Sequence, residues 1–218
     1  MRQAIAAAVI AGSARVHDVP GKVRLRQLTY FVAATIDGFI AGPDGSDPSG
    51  PDGFFVAEGG HMEAIFADYP DIIPAPVRTA LNTHPANKVF DTVVEGRGSY
   101  EVGLRAGVTN AYPHLRHYVF SRTMTQAPDP GVEIVSTDPV ETVRELKRED
   151  GKRIWLCGGA RLAATLRPEI DELIVKLHPV VAGAGIPLFD GEFSPRRFTL
   201  SETQRYDSGV LHLTYRKR

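Results

Sequence analysis

The sequence predicts an α/β fold of three layers, in which helices cover both faces of a mostly parallel central sheet of about eight strands that ends in an antiparallel hairpin. Three observations carry this. Runs at 27–35 and 153–158 are β-rich and mostly apolar, as strands buried on both faces must be. β-Rich runs ending at Gly96 and Gly158 lead straight into helical stretches, the strand-to-helix step of a parallel sheet. The stretches 197–203 and 210–216 flank the turn Asp207-Ser208-Gly209, and Leu211, Leu213 and Tyr215 alternate with polar residues, the pattern of a hairpin with one wet face.

The elements follow in order. After the first strand, Pro43, Asp44, Gly45, Pro48, Gly50, Pro51 and Gly53 forbid regular structure, so the loop 41–54 is either a lid or slack. Residues 61–68 and 76–83 read as short helices, cut apart by Pro70, Pro74, Pro76 and Pro85. The next strand starts at Lys88 and enters Gly96, Arg97, Gly98 and Ser99. Two more strands follow at 117–120 and 132–136. Asp138-Pro139-Val140-Glu141 then starts a helix with an Asp cap, Pro first and Glu third, and Val140, Val143 and Leu146 make its apolar stripe. Strand 153–158 turns through Gly158-Gly159 into another helix, and strand 172–181 precedes the hairpin. No repeat or linker divides the chain, so 27–218 is expected to be one domain. Residues 1–26 include an Ala-rich run too short to cross a bilayer and too weakly hydrophobic for a signal core, and read as a disordered extension or the product of an upstream start codon.

Three strand ends share one chemistry. Glycines let backbone approach a phosphate, helix N-termini offer unpaired N–H groups, and arginine forks and hydroxyls suit phosphate oxygens. Gly158, Gly159, Ala160 and Arg161 form one such set, Arg97, Gly98 and Ser99 a second, and Ser121 and Arg122 a third. Any one of them could be plain punctuation: a turn glycine, a solvated arginine, a capping serine. Together they border the crevice beyond the strand C-termini, where open α/β sheets bind ligands.

A net charge of −1 with no basic stripe argues against nucleic acid and membrane surfaces and for a small-molecule partner. The lone cysteine, Cys157, lies in an apolar strand and reads as a packed thiol of a reducing, cytoplasmic setting. Within these 218 residues no His-x-Glu with Pro-Cys-x-x-Cys zinc signature appears, which excludes a nucleobase deaminase, and no metal is expected.

The chain resembles the dihydrofolate-reductase-like superfamily, and within it the reductase domain at the C-terminus of the riboflavin-biosynthesis deaminase/reductase. The ordered motifs are Ala-Thr-Ile-Asp-Gly-Phe-Ile-Ala (34–41), Glu-Gly-Arg-Gly-Ser-Tyr-Glu (95–101), Ser-Arg-Thr (121–123), Cys-Gly-Gly-Ala-Arg (157–161), Asp-Glu-Leu (171–173) and His-Pro-Val-Val-Ala-Gly-Ala-Gly-Ile-Pro-Leu-Phe (178–189). The resemblance implies that NADPH lies across the sheet. Arg97 would face the adenosine 2′-phosphate, Gly98 and Ser99 the pyrophosphate, and Ser121 and Arg122 the adenine ribose end. Gly158, Gly159, Ala160 and Arg161 would form a second clamp, with a cis Gly158–Gly159 peptide as in relatives, while Ala33 and Ile40 would border the nicotinamide. Glu95 and Gly98 depart from the family, which has an apolar residue at the first and a bulkier one at the second.

The implied function is hydride transfer from NADPH to 5-amino-6-(5-phosphoribosylamino)uracil or a related small substrate, the cofactor supplying the chemistry and the protein the orientation. Dihydrofolate reduction and nucleotide binding without turnover are the alternatives. The candidate catalytic residue is Asp37, at the strand end beside the nicotinamide position; its competing role is a turn residue before Gly38. Glu58, Glu63 and Asp68 are further acids near the first helix, while His61 and His178 read as structural. Relatives commonly dimerise, so the strand-rich C-terminal edge predicts a homodimer.

Overall fold

The computed structural model describes residues 25–50, 52–57 and 59–218, so the reading of residues 1–24 as an extension lies outside the described residues. The strands are β1 (Leu28–Thr35), β2 (Phe39–Ala41), β3 (Phe90–Gly96), β4 (Arg116–Phe120), β5 (Val132–Val135), β6 (Arg153–Gly158), β7 (Ile170–His178), β8 (Ile186–Pro187), β9 (Phe198–Arg205) and β10 (Leu211–Lys217). The helices are α1 (His61–Asp68), α2 (Ala75–Ala80), α3 (Arg97–Arg105), α4 (Pro139–Arg148) and α5 (Ala160–Leu166). Eight strands form one sheet in the order β5-β4-β3-β6-β1-β7-β10-β9. Its first six are parallel, β10 runs antiparallel to β7, and β9 completes the expected hairpin. β2 and β8 make a separate antiparallel pair, too short to be legible beforehand.

Alternation along the strands divides the core into the three expected layers. Leu28 and Tyr30 of β1, with Ile154 and Leu156 of β6, pack against α4 through Val143 and Leu146 and against α5 through Leu162 and Leu166. Phe31 and Trp155 join Ile65 of α1 in a second cluster, and Tyr100 of α3 packs on Val119 in a third. Each large side chain removed from water in this way contributes about 1.5–3 kcal/mol.

Local signals hold where their chemistry is local. Asp138 caps α4 by accepting from Val140 and Glu141 N–H at 2.7 and 3.2 Å, and Gly209 takes φ +81° in the hairpin turn. Boundaries moved where the signal was weak. The helix expected over 76–83 is α2, which stops at Ala80 and is followed by Asn82 at φ +47°. The strand expected over 172–181 stops at His178, ahead of Pro179, which has no N–H for a ladder. Among the buried charged residues, Arg26 and Asp71 hold the layers. Arg26, 5% exposed, donates to Asp91, to Thr92 Oγ1 at 2.7 Å and to the Lys152 carbonyl at 2.6 Å. Asp71 accepts from the backbone N–H of Lys88, Val89 and Phe90, fixing the entry of β3.

Candidate active site

β1 and β6 are paired only at Leu28, Thr29 and Tyr30 against Ile154, Trp155 and Leu156. Beyond Tyr30, β1 stays with β7 as far as Thr35 opposite His178, while β6 stays with β3 as far as Gly158 opposite Glu95. A gap therefore opens between β1 and β6 at their C-terminal ends. The Phe31 carbonyl, released from that ladder, accepts from Trp155 Nε1 at 3.1 Å, so a buried acceptor is satisfied without closing the gap. The chain leaves β1 toward β3 and leaves β6 toward β7, in opposite directions along the sheet; such a reversal is where α/β sheets hold ligands.

The two glycine turns stand side by side at this gap. A Cβ on Gly159 would lie 3.4 Å from Gly96 Cα, and one on Gly158 would lie 3.0 Å from Ser99 Oγ, whereas Gly98 faces open space. The expected cis Gly158–Gly159 peptide is corrected: no cis peptide occurs among the described residues, and the turn is made by Gly159 at φ +97°, ψ 103°, a left-handed backbone that glycine adopts freely. Arg97 Nη1 donates to Thr123 Oγ1 at 2.8 Å, which ties the β3–α3 turn to the loop after β4. In that loop Ser121 Oγ accepts from Thr123 and Met124 N–H at 3.2 and 2.8 Å, and Arg122 is exposed with no ion pair among the described residues. Arg161 is drawn to Asp190 at 3.0 Å rather than left free. The Ser99 hydroxyl bonds the Cys157 thiol, which burial pushes up, so Cys157 is a neutral packed thiol as its sequence setting implied. Ala33 borders the gap through its place in β1, whereas Ile40, in β2, packs on the α4/α5 side of the core.

Asp37 is committed to its turn. Its carboxylate accepts from Thr35 Oγ1 at 2.6 Å and from the N–H groups of Gly183 and Ala182 at 2.7 and 3.1 Å, which hold it well below the ordinary carboxylate range, at about 2. It carries no proton to give at neutral pH. Glu63 is exposed on α1, Asp68 is exposed at its end, and Glu58 lies outside the described residues.

Sequence reasoning missed a buried proton on β3 and β4. Asn110 Oδ1 accepts the Tyr112 N–H at 3.1 Å and also faces His117 Nδ1 at 3.1 Å, so Nδ1 must carry a hydrogen. His117 Nε2 then lies 2.8 Å from Glu95 Oε1, and one proton is shared along that bond whichever atom holds it. The pair is neutral overall, which is how a carboxylate only 4% exposed is tolerated there.

His178 does more than end a strand. Val56 N–H donates to its Nδ1 at 3.1 Å and Phe55 stacks on its ring at 4.3 Å, fastening the long loop to β7. Burial, aided by Lys176 and His61, lowers its pKa to about 4. Between the ordinary histidine value near 6.5 and about 4, an unfolded chain takes up the proton and the folded one does not. Stability contributed by His178 is thus complete above that window and lost as pH falls through it, by about 1–2 kcal/mol after solvent screening. Thermal melts from pH 7 to pH 4 should show this loss in the wild type and a smaller one in His178→Gln.

Residues 26–212 match the RibD C-terminal domain family across the whole sheet as far as β10. The chain belongs to that family. Two uncharacterized Bacillus subtilis (strain 168) proteins are similar: YyaP, 27% identical over 88% of this chain and 96% of its own, and YwjB, 29% identical over 86% and 97%. Among solved structures, a Shewanella sp. PV-4 protein provisionally assigned to riboflavin biosynthesis matches at TM-score 0.63 and 20% identity, covering 88% of this chain and 99% of that one. The diaminohydroxyphosphoribosylaminopyrimidine deaminase/5-amino-6-(5-phosphoribosylamino)uracil reductase of Thermotoga maritima matches at 0.61 and 15%, covering 89% of this chain and 57% of its own. Dihydrofolate reductase from Enterococcus faecalis, complexed with NADP(H), matches at 0.57 and 18%, over 88% and 96%. These three solved structures share the fold of this chain.

Proposed function

We propose that this chain is an NADPH-dependent reductase of a small carbonyl- or imine-bearing molecule, with 5-amino-6-(5-phosphoribosylamino)uracil as the first substrate to test. The observation that carries the reading is the gap between β1 and β6, flanked by two glycine turns and by exposed cations. These residues fit the cofactor. Gly98 leaves open the space that a side chain would fill, the α3 N-terminus has no side-chain cap to occupy its N–H groups, and Arg97 and Arg122 supply charge for a phosphate. When bound, NADPH supplies the hydride. Arg97, anchored by Thr123, and Arg122 would hold the 2′-phosphate end; Gly96, Gly98 and Gly159 would admit the pyrophosphate. Asp37 then acts as a positioning residue that fixes the end of β1 against the loop after β7. Names of fold neighbours that bind NADP(H) or reduce a ribosylaminouracil support the choice of probes.

The test is NADPH oxidation with 5-amino-6-(5-phosphoribosylamino)uracil and with dihydrofolate, measured side by side. Turnover of the first supports the riboflavin-type reading, turnover of the second alone moves the substrate to folates, and tight NADPH binding with neither substrate reduced leaves a nucleotide-binding protein.

A further inference from the structure

We propose that Lys176 is the proton donor of this site, and that the substrate therefore presents a carbonyl oxygen or imine nitrogen to the β7 side of the gap. The inference rests on the reductase reading. As hydride reaches the carbon of a C=O or C=N bond, the π pair moves to the heteroatom; an Nζ–H bond of Lys176 breaks to protonate it, and water later returns a proton to the neutral amine.

Placement carries the argument. Lys176 pairs with Ala33 of β1 in the stretch where β1 has already left β6, so it stands one strand from the gap. Its Nζ lies 5.6 Å from the centre of the Phe31 ring, on the face that also bears Trp155. This partly buried ammonium has no carboxylate partner and no hydrogen bond among the described residues, while the buried Lys147 bonds Asp171 at 2.7 Å and the Glu169 carbonyl at 3.0 Å. A partly buried cation without a counter-ion is costly to retain without a use.

The groups facing it are neutral. Burial raises the Cys157 thiol on β6 and lowers His178 on β7 and His212 on β10, with Asp68 and Glu202 acting on His212 from beyond it. β1 contributes only Phe31 and Ala33, and the Tyr69 ring lies against Phe31 and His212. Desolvation likewise lowers Lys176, which eases release of its proton, whereas Asp37 is ionised and saturated with donors.

Two measurements test this. In protein labelled at lysine with carbon-13 and nitrogen-15, the side-chain resonance lost in Lys176→Met should titrate below the surface lysines; a midpoint among theirs would overturn the proposal whatever the substrate. In single turnovers with NADPH and 5-amino-6-(5-phosphoribosylamino)uracil, Lys176→Met and Lys176→Arg should both lose about 100-fold in hydride transfer while NADPH affinity stays within about twofold, because arginine keeps the charge but releases no proton. A Lys176→Arg protein at the wild-type rate sinks the assignment, as does loss of rate in Glu58→Gln with Lys176→Met unaffected. A wild type that oxidises no NADPH with any substrate instead sinks the reductase reading.

Discussion

Gly159→Val is expected to weaken NADPH binding by at least about 100-fold, or about 3 kcal/mol. The new side chain faces two obstacles. Gly159 sits at φ +97°, where a β-branched residue is strained by about 1–3 kcal/mol, and its Cβ would press on Gly96 at 3.4 Å, pushing the two turns apart. Gly98→Val separates ligand access from folding, since a Cβ there meets no atom within 4 Å. That variant should melt near the wild-type temperature yet bind NADPH more weakly in a fluorescence titration. A folded Gly98→Val protein and a folded Gly159→Val protein that both bind normally would move the cofactor away from these turns.

Asp71→Ala is expected to be the most destabilising change of a single polar side chain, by about 3 kcal/mol. Asp71 is fully buried and satisfies three consecutive N–H groups where β3 begins. Alanine strands all three, and a buried donor without a partner costs about 1–3 kcal/mol. Denaturant melts of the variant should show a lower midpoint with an unchanged slope, because the same surface is exposed on unfolding.

The elements legible in the sequence were those whose signal is local. The mostly apolar β1, the cap at Asp138 and the Asp-Ser-Gly hairpin turn each contain their own physical cause within a few residues. What was not legible depends on distance in the chain. Glu95 and His117 share a proton across 22 residues, and His178 fastens Val56 across 122; neither partner is marked by its neighbours. The separation of β1 from β6 is hidden for a different reason: the strand is mostly apolar on both sides of the point where it parts from β6, and only the ladder shows where pairing ends. Lys176 carries no local signal, since β7 also holds Asp171, Glu172 and His178, and only the sheet order brings it beside the gap. Asp37 was legible both as a catalytic candidate and as a turn residue, and its hydrogen bonds to Thr35, Ala182 and Gly183 match the turn role.

The central claim is that the gap between β1 and β6 binds NADPH with its 2′-phosphate held by Arg97 and Arg122. Its most direct test is a pair of equilibrium titrations, NADPH and NADH, on the wild type and on Arg97→Gln/Arg122→Gln. The account predicts that the wild type binds NADPH about 5- to 150-fold more tightly than NADH, the equivalent of about 1–3 kcal/mol, and that the double variant loses this preference while binding NADH as before. Equal wild-type dissociation constants, or a preference that survives the double substitution, would contradict it.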